Sequence, residues 1–199
     1  MSSSDPKISL TAYHGTTTQN ANSILKNNFI IRFTPEDWLG YGVYFFVPGI
    51  SCPIKNAEEW ARNSHHHEPI SVVKSIISAP TNQVLNLTQV DQLKIYNDTK
   101  NQVINDSYDS LKTRRDLTIK KRRDIRLDDR IITNLILEKL GIKILIHNTY
   151  IKNHLQRKLA LESSYPNSTA CCVTDLSLIT STEIHLSYSA KRLPETKNT

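Results

Sequence analysis

The fold of this chain is indicated by two short stretches, YHGT at residues 13–16 and LGYGVYF at residues 39–45. Residues 8–13 alternate apolar and polar side chains, which predicts a half-buried strand that leads into the first stretch. Residues 42–47 are apolar and β-prone, which predicts a core strand in the second. Three of the five glycines lie in these stretches, where the backbone must turn tightly or approach a neighbour closely.

Further strands are expected along the whole chain. We predict them at residues 29–33, 70–77, 83–87, 143–147, 170–174 and 182–188. Because strands occur at both ends with helices between them, the pattern predicts an α+β fold. Residues 1–199 suit a single domain with one hydrophobic core, and residues 191–199 are expected to form a flexible tail.

Helices are predicted from capping residues and apolar periodicity. Thr16, Thr17 or Thr18 can begin a first helix that ends at Asn27–Asn28. Asn56 and Glu59 have the spacing of a capping box that opens a second helix. Two more helices are expected near residues 90–96 and 101–111, and another is expected to be capped by Asp128 and stopped by Gly141.

Composition limits the classes of function that are open to this chain. It has no apolar run of 18 residues and no signal peptide, so we expect a cytoplasmic protein with no membrane partner. The three cysteines favour reduced, partly buried thiols over a disulfide or zinc framework. The histidines at residues 65–67 favour a solvated loop over a metal site, and no metal is expected. The net charge of +6 favours polyanionic partners.

The two opening stretches together resemble the ADP-ribosyltransferase superfamily, in the branch shared by poly(ADP-ribose) polymerases and diphtheria-like toxins. That branch has His-Gly-Ser/Thr, an Asn six residues after the His, and Gly-x-Gly-Ile/Val-Tyr-Phe. The matching positions in this chain are His14, Gly15, Thr16, Asn20, Gly40, Gly42, Val43, Tyr44 and Phe45. The resemblance implies a split β-sheet core with flanking helices and NAD⁺ as the substrate.

The resemblance also implies a role for each matching residue. His14 would contact the adenine-side ribose, the backbone of Gly15 would contact the nicotinamide amide, Thr16 would bind the cofactor, and Asn20 would contact the nucleotide. Tyr44, rather than Tyr41, would stack on the nicotinamide, and Trp60 would be a second aromatic that closes the pocket. Taken singly, His14 could be a turn residue and Tyr44 a core residue, but their joint spacing favours the functional interpretation.

The position of the catalytic acid is the point at which this chain departs from the family. A family strand of the form Glu-x-x-Val-x-Asp-Ile matches residues 170–176, which places Ala170 where a glutamate or glutamine belongs. Alanine cannot stabilise an oxocarbenium ion, so this interpretation predicts a catalytically inactivated protein, whether the alanine is natural or introduced. The alternative is that Glu183 is the acid and that the register is shifted.

The acceptor of the ADP-ribose is suggested by charge alone. A basic segment contains Arg114, Arg115, Lys121, Arg122 and Arg123, and a second candidate surface contains Arg157 and Tyr165. Lysine and arginine contact phosphates, and an exposed aromatic ring can stack on an unpaired base, so nucleic acid is a possible acceptor, with RNA favoured. A solvated helix face is the alternative for the basic segment.

The biological setting follows from the resemblance and from the compact chain. We expect a bacterial toxin of a toxin–antitoxin or phage-defence system, with an antitoxin protein as a possible partner. A non-catalytic NAD-fold module that binds nucleic acid or a partner protein, and an NAD glycohydrolase that uses water as the acceptor, remain the alternatives.

Overall fold

A computed structural model describes residues 6–32, 37–118, 125–161 and 163–189, with the backbone alone at residues 114–118 and 125–127. The predicted tail therefore lies outside the described residues. The described strands are β1 (Lys7–Thr17), β2 (Val43–Phe46), β3 (Ile70–Pro80), β4 (Val84–Asn86), β5 (Ile144–Thr149), β6 (Ser168–Val173) and β7 (Ile179–Tyr188). The described helices are α1 (Thr18–Asn27), α2 (Pro53–Ser64), α3 (Val90–Asp106), α4 (Tyr108–Thr118), α5 (Ile125–Leu140) and α6 (His154–Lys158).

The seven strands form one sheet in the order β4-β5-β6-β2-β1-β3-β7. All neighbouring strands are antiparallel except β4 and β5, which are parallel. A largely antiparallel sheet with interspersed helices is a mixed α and β architecture, consistent with the predicted α+β class.

The sheet has two halves that meet at β1 and β2. Strands β1, β3 and β7 form long ladders, and β2 pairs with β6 along its whole length. Where the halves meet, the described ladder pairs Tyr13 with Phe46. Helix α2 lies against β1 and β3, while α3 packs on α5. The junction of the two half-sheets is therefore covered by α2 and lies next to both opening sequence stretches.

Both ends of α1 and the C-terminal end of α5 form as their sequences predict. The Thr17 hydroxyl accepts a hydrogen bond from the Asn20 amide at 3.1 Å and caps α1, and Asn28 ends that helix with φ of 66°. Gly141 follows α5 with φ of 67°, a conformation that glycine adopts at little cost.

The predicted strand at residues 29–33 is wrong for its described part, because residues 29–32 do not join the sheet. Phe29 is buried, but its ring packs edge-on against Phe45 at 5.1 Å and against His14 at 5.5 Å. Ring packing, and not ladder pairing, therefore accounts for the apolar character of this segment.

The predicted capping box at the start of α2 is also wrong. The helix begins at Pro53, a residue suited to the first turn because its missing N–H would have no partner there. The side-chain amide of Asn56 instead donates to the Ser51 hydroxyl at 2.7 Å. The Glu59 carboxylate accepts from the backbone amide of His154 at 2.6 Å, which ties α2 to α6.

Two other helix boundaries differ from the predictions. Residues 90–106 form one helix, α3, because no glycine or proline interrupts them and Thr99 bonds to the carbonyl of Ile95 at 2.8 Å. Helix α5 begins at Ile125, so Asp128 lies in its first turn and is not its cap. A carboxylate at that position still interacts favourably with the helix dipole.

The three cysteines are free thiols, as predicted, but they differ in exposure. Cys171 and Cys172 on β6 are fully buried, whereas Cys52, before α2, is exposed and not partly buried as expected. None of the described helices is long and apolar enough to cross a membrane.

Candidate functional site

A cavity of about 420 Å³ lies beside the junction of the two half-sheets. This volume falls within the range of ligand pockets, roughly 300–1,000 Å³. Many residues singled out from the sequence line it: His14, Gly15, Thr16, Asn20, Gly42, Tyr44, Trp60 and Ala170. The structure therefore brings together residues from both opening stretches, from α2 and from β6.

His14 on β1 joins the two half-sheets through its side chain. Its Nδ1 lies 2.8 Å from the Tyr44 carbonyl oxygen on β2. A carbonyl can only accept, so Nδ1 carries the proton and Nε2 is the acceptor of the neutral ring. Burial lowers the pKa of His14, against the opposing effect of the hydrogen bond to Tyr44. The imidazole is therefore neutral at pH 7, with Nε2 available to a ligand hydroxyl.

Tyr44 is fixed by its hydroxyl as well as by its ring. The hydroxyl accepts from the Leu39 amide at 2.7 Å and donates to the Gly40 carbonyl at 2.9 Å. Burial raises the pKa of Tyr44 far above its ordinary value, so the hydroxyl stays protonated. The side chain holds the loop before β2 in place while the residue also lines the cavity.

The motif glycines are required by packing. A Cβ at Gly15 would lie 1.8 Å from the backbone oxygen of Ala57 on α2, and one at Gly42 would lie 2.5 Å from the backbone oxygen of Val173. Both distances are far shorter than contact, so a side chain at either position would displace a neighbouring element. Glycine at residue 15 lets α2 lie directly on β1.

Asn20 and Thr16 lie together at the start of α1. The Asn20 amide group donates to the Thr16 hydroxyl at 3.4 Å, and Asn20 is exposed whereas Thr16 is buried. On α2, Trp60 packs with Phe46 and Ile151 in a small apolar cluster. These residues give the cavity a polar edge at α1 and an apolar wall at α2.

Ala170 forms part of the cavity wall on β6, paired with Phe46 on one side and with His147 on the other. It is 3 % exposed and offers no polar group. Glu183, the alternative acid, is not among the lining residues. It lies on β7 opposite Lys74, whose Nζ is 2.8 Å from its carboxylate, and this hydrogen bond lowers the pKa of Glu183.

Three lining residues with strong functional potential were missed in the sequence. Asp37 is 7 % exposed and is the one carboxylate among the described residues that line the cavity. The Trp38 ring lies 5.9 Å from the Tyr44 ring, and Arg32 adds a cation. The segment TPEDW at residues 34–38 has the polar composition that is typical of a solvated loop. Its tryptophan is the one residue in it whose type favours a buried position.

The predicted nucleic-acid contacts are placed only in part. Arg114 and Arg115 belong to α4, described there by backbone alone, while Lys121, Arg122 and Arg123 lie outside the described residues. Arg157 is exposed on α6, where its Nε donates to the Lys152 carbonyl at 3.2 Å. Tyr165 is 81 % exposed. Helix α6 begins three residues after Ile151, which lines the cavity, but neither Arg157 nor Tyr165 is among the lining residues.

The triple histidine segment is close to the cavity at one residue only. His65 lines it and its Nδ1 lies 3.2 Å from the Glu68 carboxylate. Within the described parts of the chain, no group of histidine, cysteine, aspartate and glutamate is arranged to hold a metal ion.

No family model matches the chain, and no curated protein or solved structure matched it either.

Proposed function

We propose that this protein binds NAD⁺ in the 420 Å³ cavity and belongs, by mechanism, with the mono-ADP-ribosyltransferases. The observation that carries the proposal is the link between the two opening stretches. His14 from the first stretch and Tyr44 from the second share a hydrogen bond of 2.8 Å and line one cavity. Residues 30 positions apart in sequence thus share one cavity, and this supports the proposal.

The cavity offers groups that suit the parts of a dinucleotide. Nε2 of neutral His14 can accept a hydrogen bond from a ribose hydroxyl. The aromatic rings of Trp38, Tyr44 and Trp60 offer faces or edges for a nicotinamide ring. Arg32 offers a guanidinium group for a phosphate. These groups support NAD⁺ binding, and they do so whether or not the protein cleaves NAD⁺.

Ala170 limits the rate at which this chain can cleave NAD⁺. A carboxylate at that position would lie in the cavity wall and stabilise the positive charge that develops on the ribose. Loss of one such electrostatic group costs about two to three orders of magnitude in turnover. We therefore propose slow turnover for the chain as it stands, and much faster turnover for Ala170→Glu.

The acceptor that we favour is nucleic acid, with RNA ahead of DNA. The support is the net charge of +6 and the exposed basic and aromatic side chains of Arg157 and Tyr165. The proposed setting is a bacterial toxin held in check by an antitoxin protein. In this setting Ala170→Glu would be toxic to bacteria that express it.

Ala170 also favours a second candidate function, a non-catalytic module that uses the same fold to bind NAD⁺, nucleic acid or a partner protein. An NAD glycohydrolase with water as the acceptor would use the same cavity. The module differs from both enzymes in releasing no nicotinamide, and the glycohydrolase differs from the transferase in labelling no macromolecule.

The decisive experiment measures NAD⁺ binding and nicotinamide release by the wild type, Ala170→Glu and Ala170→Gln. We expect all three to bind NAD⁺ and Ala170→Glu to release nicotinamide at least a hundredfold faster than the wild type. His14→Ala should lose binding, while His66→Ala, on an exposed loop, serves as the matched control. Absence of NAD⁺ binding in every variant would refute the proposal.

The acceptor is tested with labelled NAD⁺, Ala170→Glu and a bacterial lysate. Label that disappears on nuclease treatment supports a nucleic-acid acceptor, and separate RNase and DNase treatments distinguish RNA from DNA. Label that stays entirely with protein after both treatments contradicts it. Release of nicotinamide with no labelled macromolecule identifies a glycohydrolase.

A further inference from the structure

We propose that Asp37 is a catalytic carboxylate of this cavity and supplies the negative charge that Ala170 lacks. The inference rests on the proposed function, because it concerns the cleavage of NAD⁺ in the same site. It assigns the residual turnover of this chain to a loop residue that neither opening stretch contains.

Asp37 is the one described lining residue with a carboxylate, and it is 7 % exposed. A charged carboxylate is costly to bury, and Asp37 has an interaction partner within the chain that offsets part of this cost. Ligand pockets commonly contain a small number of such polar or charged groups, which fix the orientation of the ligand. The charge of Asp37 lies next to the space that a ligand would occupy.

The chain that follows Asp37 is anchored by hydrogen bonds and ring packing. The Tyr44 hydroxyl binds Leu39 and Gly40 at 2.7 and 2.9 Å, and the Trp38 ring lies 5.9 Å from that of Tyr44. The amide of Tyr41 donates to the Asn134 side chain on α5 at 2.8 Å. A carboxylate on an anchored loop is pre-organised and needs little rearrangement when charge develops nearby.

The electrostatic influence of Asp37 reaches the buried groups behind the cavity wall. Burial is the main cause that raises the pKa of both Tyr44 and Cys172, and the negative charge of Asp37 adds to each. Cys172 is two residues from Ala170 on the same strand. The charge of Asp37 therefore acts on Tyr44, which lines the cavity, and on Cys172, which lies on the same strand as Ala170.

The reaction assigned to this carboxylate is heterolysis of the bond between the nicotinamide nitrogen and the ribose carbon. The bonding electron pair leaves with nicotinamide, which becomes neutral, and the ribose carbon becomes an oxocarbenium ion. Carboxylates stabilise such ions in glycoside hydrolysis. A water molecule or an acceptor hydroxyl then forms the new bond, and its proton passes to Asp37 or to solvent.

The test combines Asp37→Asn with the change at residue 170. Asparagine preserves the shape of the side chain and removes its charge, and Asp98→Asn on the exposed face of α3 is the matched control. NAD⁺ affinity and nicotinamide release are measured for each single variant and for Asp37→Asn combined with Ala170→Glu. Thermal melting checks that every variant folds.

In the wild-type background we expect Asp37→Asn to lower nicotinamide release at least tenfold while NAD⁺ affinity changes less than threefold. Asp37→Glu should retain more release than Asp37→Asn, because it keeps the charge. In the Ala170→Glu background the same loss of charge should lower release less than threefold, because the new carboxylate performs the same role.

The inference is overturned if Asp37→Asn releases nicotinamide as fast as the wild type, or if the wild type binds NAD⁺ and releases none. It is also overturned if Asp37→Asn is equally damaging in both backgrounds, since the residue would then only hold the loop. If Asp37→Asn matches the wild type, or is equally damaging in both backgrounds, the proposed function stands. If the wild type binds NAD⁺ and releases none, NAD⁺ binding stands and the chain is the non-catalytic module. If the wild type does not bind NAD⁺, both fall together.

Discussion

Removal of the Tyr44 hydroxyl in Tyr44→Phe separates two roles of this residue, because the ring that lines the cavity remains. The hydroxyl pairs two buried backbone groups, the Leu39 amide at 2.7 Å and the Gly40 carbonyl at 2.9 Å. Leu39 is 3 % exposed and Gly40 is buried, so bulk water does not replace the lost partner readily.

The magnitude follows mainly from the Leu39 amide, which is left unpaired, because the Gly40 carbonyl keeps the Cys172 thiol as a weak donor at 3.6 Å. An unsatisfied buried donor costs about 1–3 kcal/mol, so Tyr44→Phe should lower the free energy of unfolding by about 2 kcal/mol. For a chain of this length, about 2 kcal/mol corresponds to a Tm lower by roughly 4–8 °C. Nicotinamide stacking needs only the ring, so a ligand held by stacking alone should still bind, although the loop with Asp37 becomes less fixed.

The assay is thermal and urea denaturation of Tyr44→Phe, Tyr44→Leu and Tyr165→Phe, with NAD⁺ affinity measured on each. Tyr165→Phe removes a hydroxyl from a side chain that is 81 % exposed and should melt like the wild type. Tyr44→Leu should lose stability and NAD⁺ affinity together. The reasoning is refuted if Tyr44→Phe has the wild-type Tm, because the hydroxyl would then not support the loop.

Three other predictions concern different parts of the molecule. Gly15→Ala should lower the free energy of unfolding by about 1–3 kcal/mol or more, since its Cβ would meet the Ala57 oxygen of α2; urea denaturation measures this, and a wild-type midpoint contradicts it. Stability should fall as the pH falls below about 6.5, because burial holds the pKa of His14 and His147 below that of the unfolded chain, which therefore binds more protons. Melting curves from pH 8 to pH 5 test this, and His14→Gln should flatten the dependence. RNA binding should weaken steeply with salt, and Arg157→Ala combined with Tyr165→Ala should weaken it further; titration from 50 to 300 mM salt that shows no change would argue against phosphate contacts.

The sequence was most informative where local chemistry decides local structure. Thr17 was among the predicted caps of α1 and forms that cap, and the alternating residues of β1 and the β-prone run of β2 form strands. The resemblance of the two opening stretches implied a shared site, and residues of both stretches line one cavity. A helix cap or a strand depends on a few neighbouring residues, so its pattern can be recognised in the sequence.

The errors arose where distant contacts decide the outcome. Phe29 was predicted in a strand because it is apolar and β-prone, but its neighbours are rings from other elements. Asn56 and Glu59 have capping-box spacing, yet they bond to Ser51 and His154. Asp37 could not be recognised in the sequence, because its burial follows from how the loop is held against β2 and α5.

The unequal exposure of the three thiols has a practical consequence for labelling experiments. Burial raises the pKa of Cys171 to about 12, and the pKa of Cys172 is likewise raised, so neither is a thiolate near neutral pH. Cys52 is exposed at the start of α2, the helix that carries Trp60. A maleimide dye should therefore attach to the native chain at a single place, at the start of the helix that contributes Trp60 to the cavity, without any engineered cysteine.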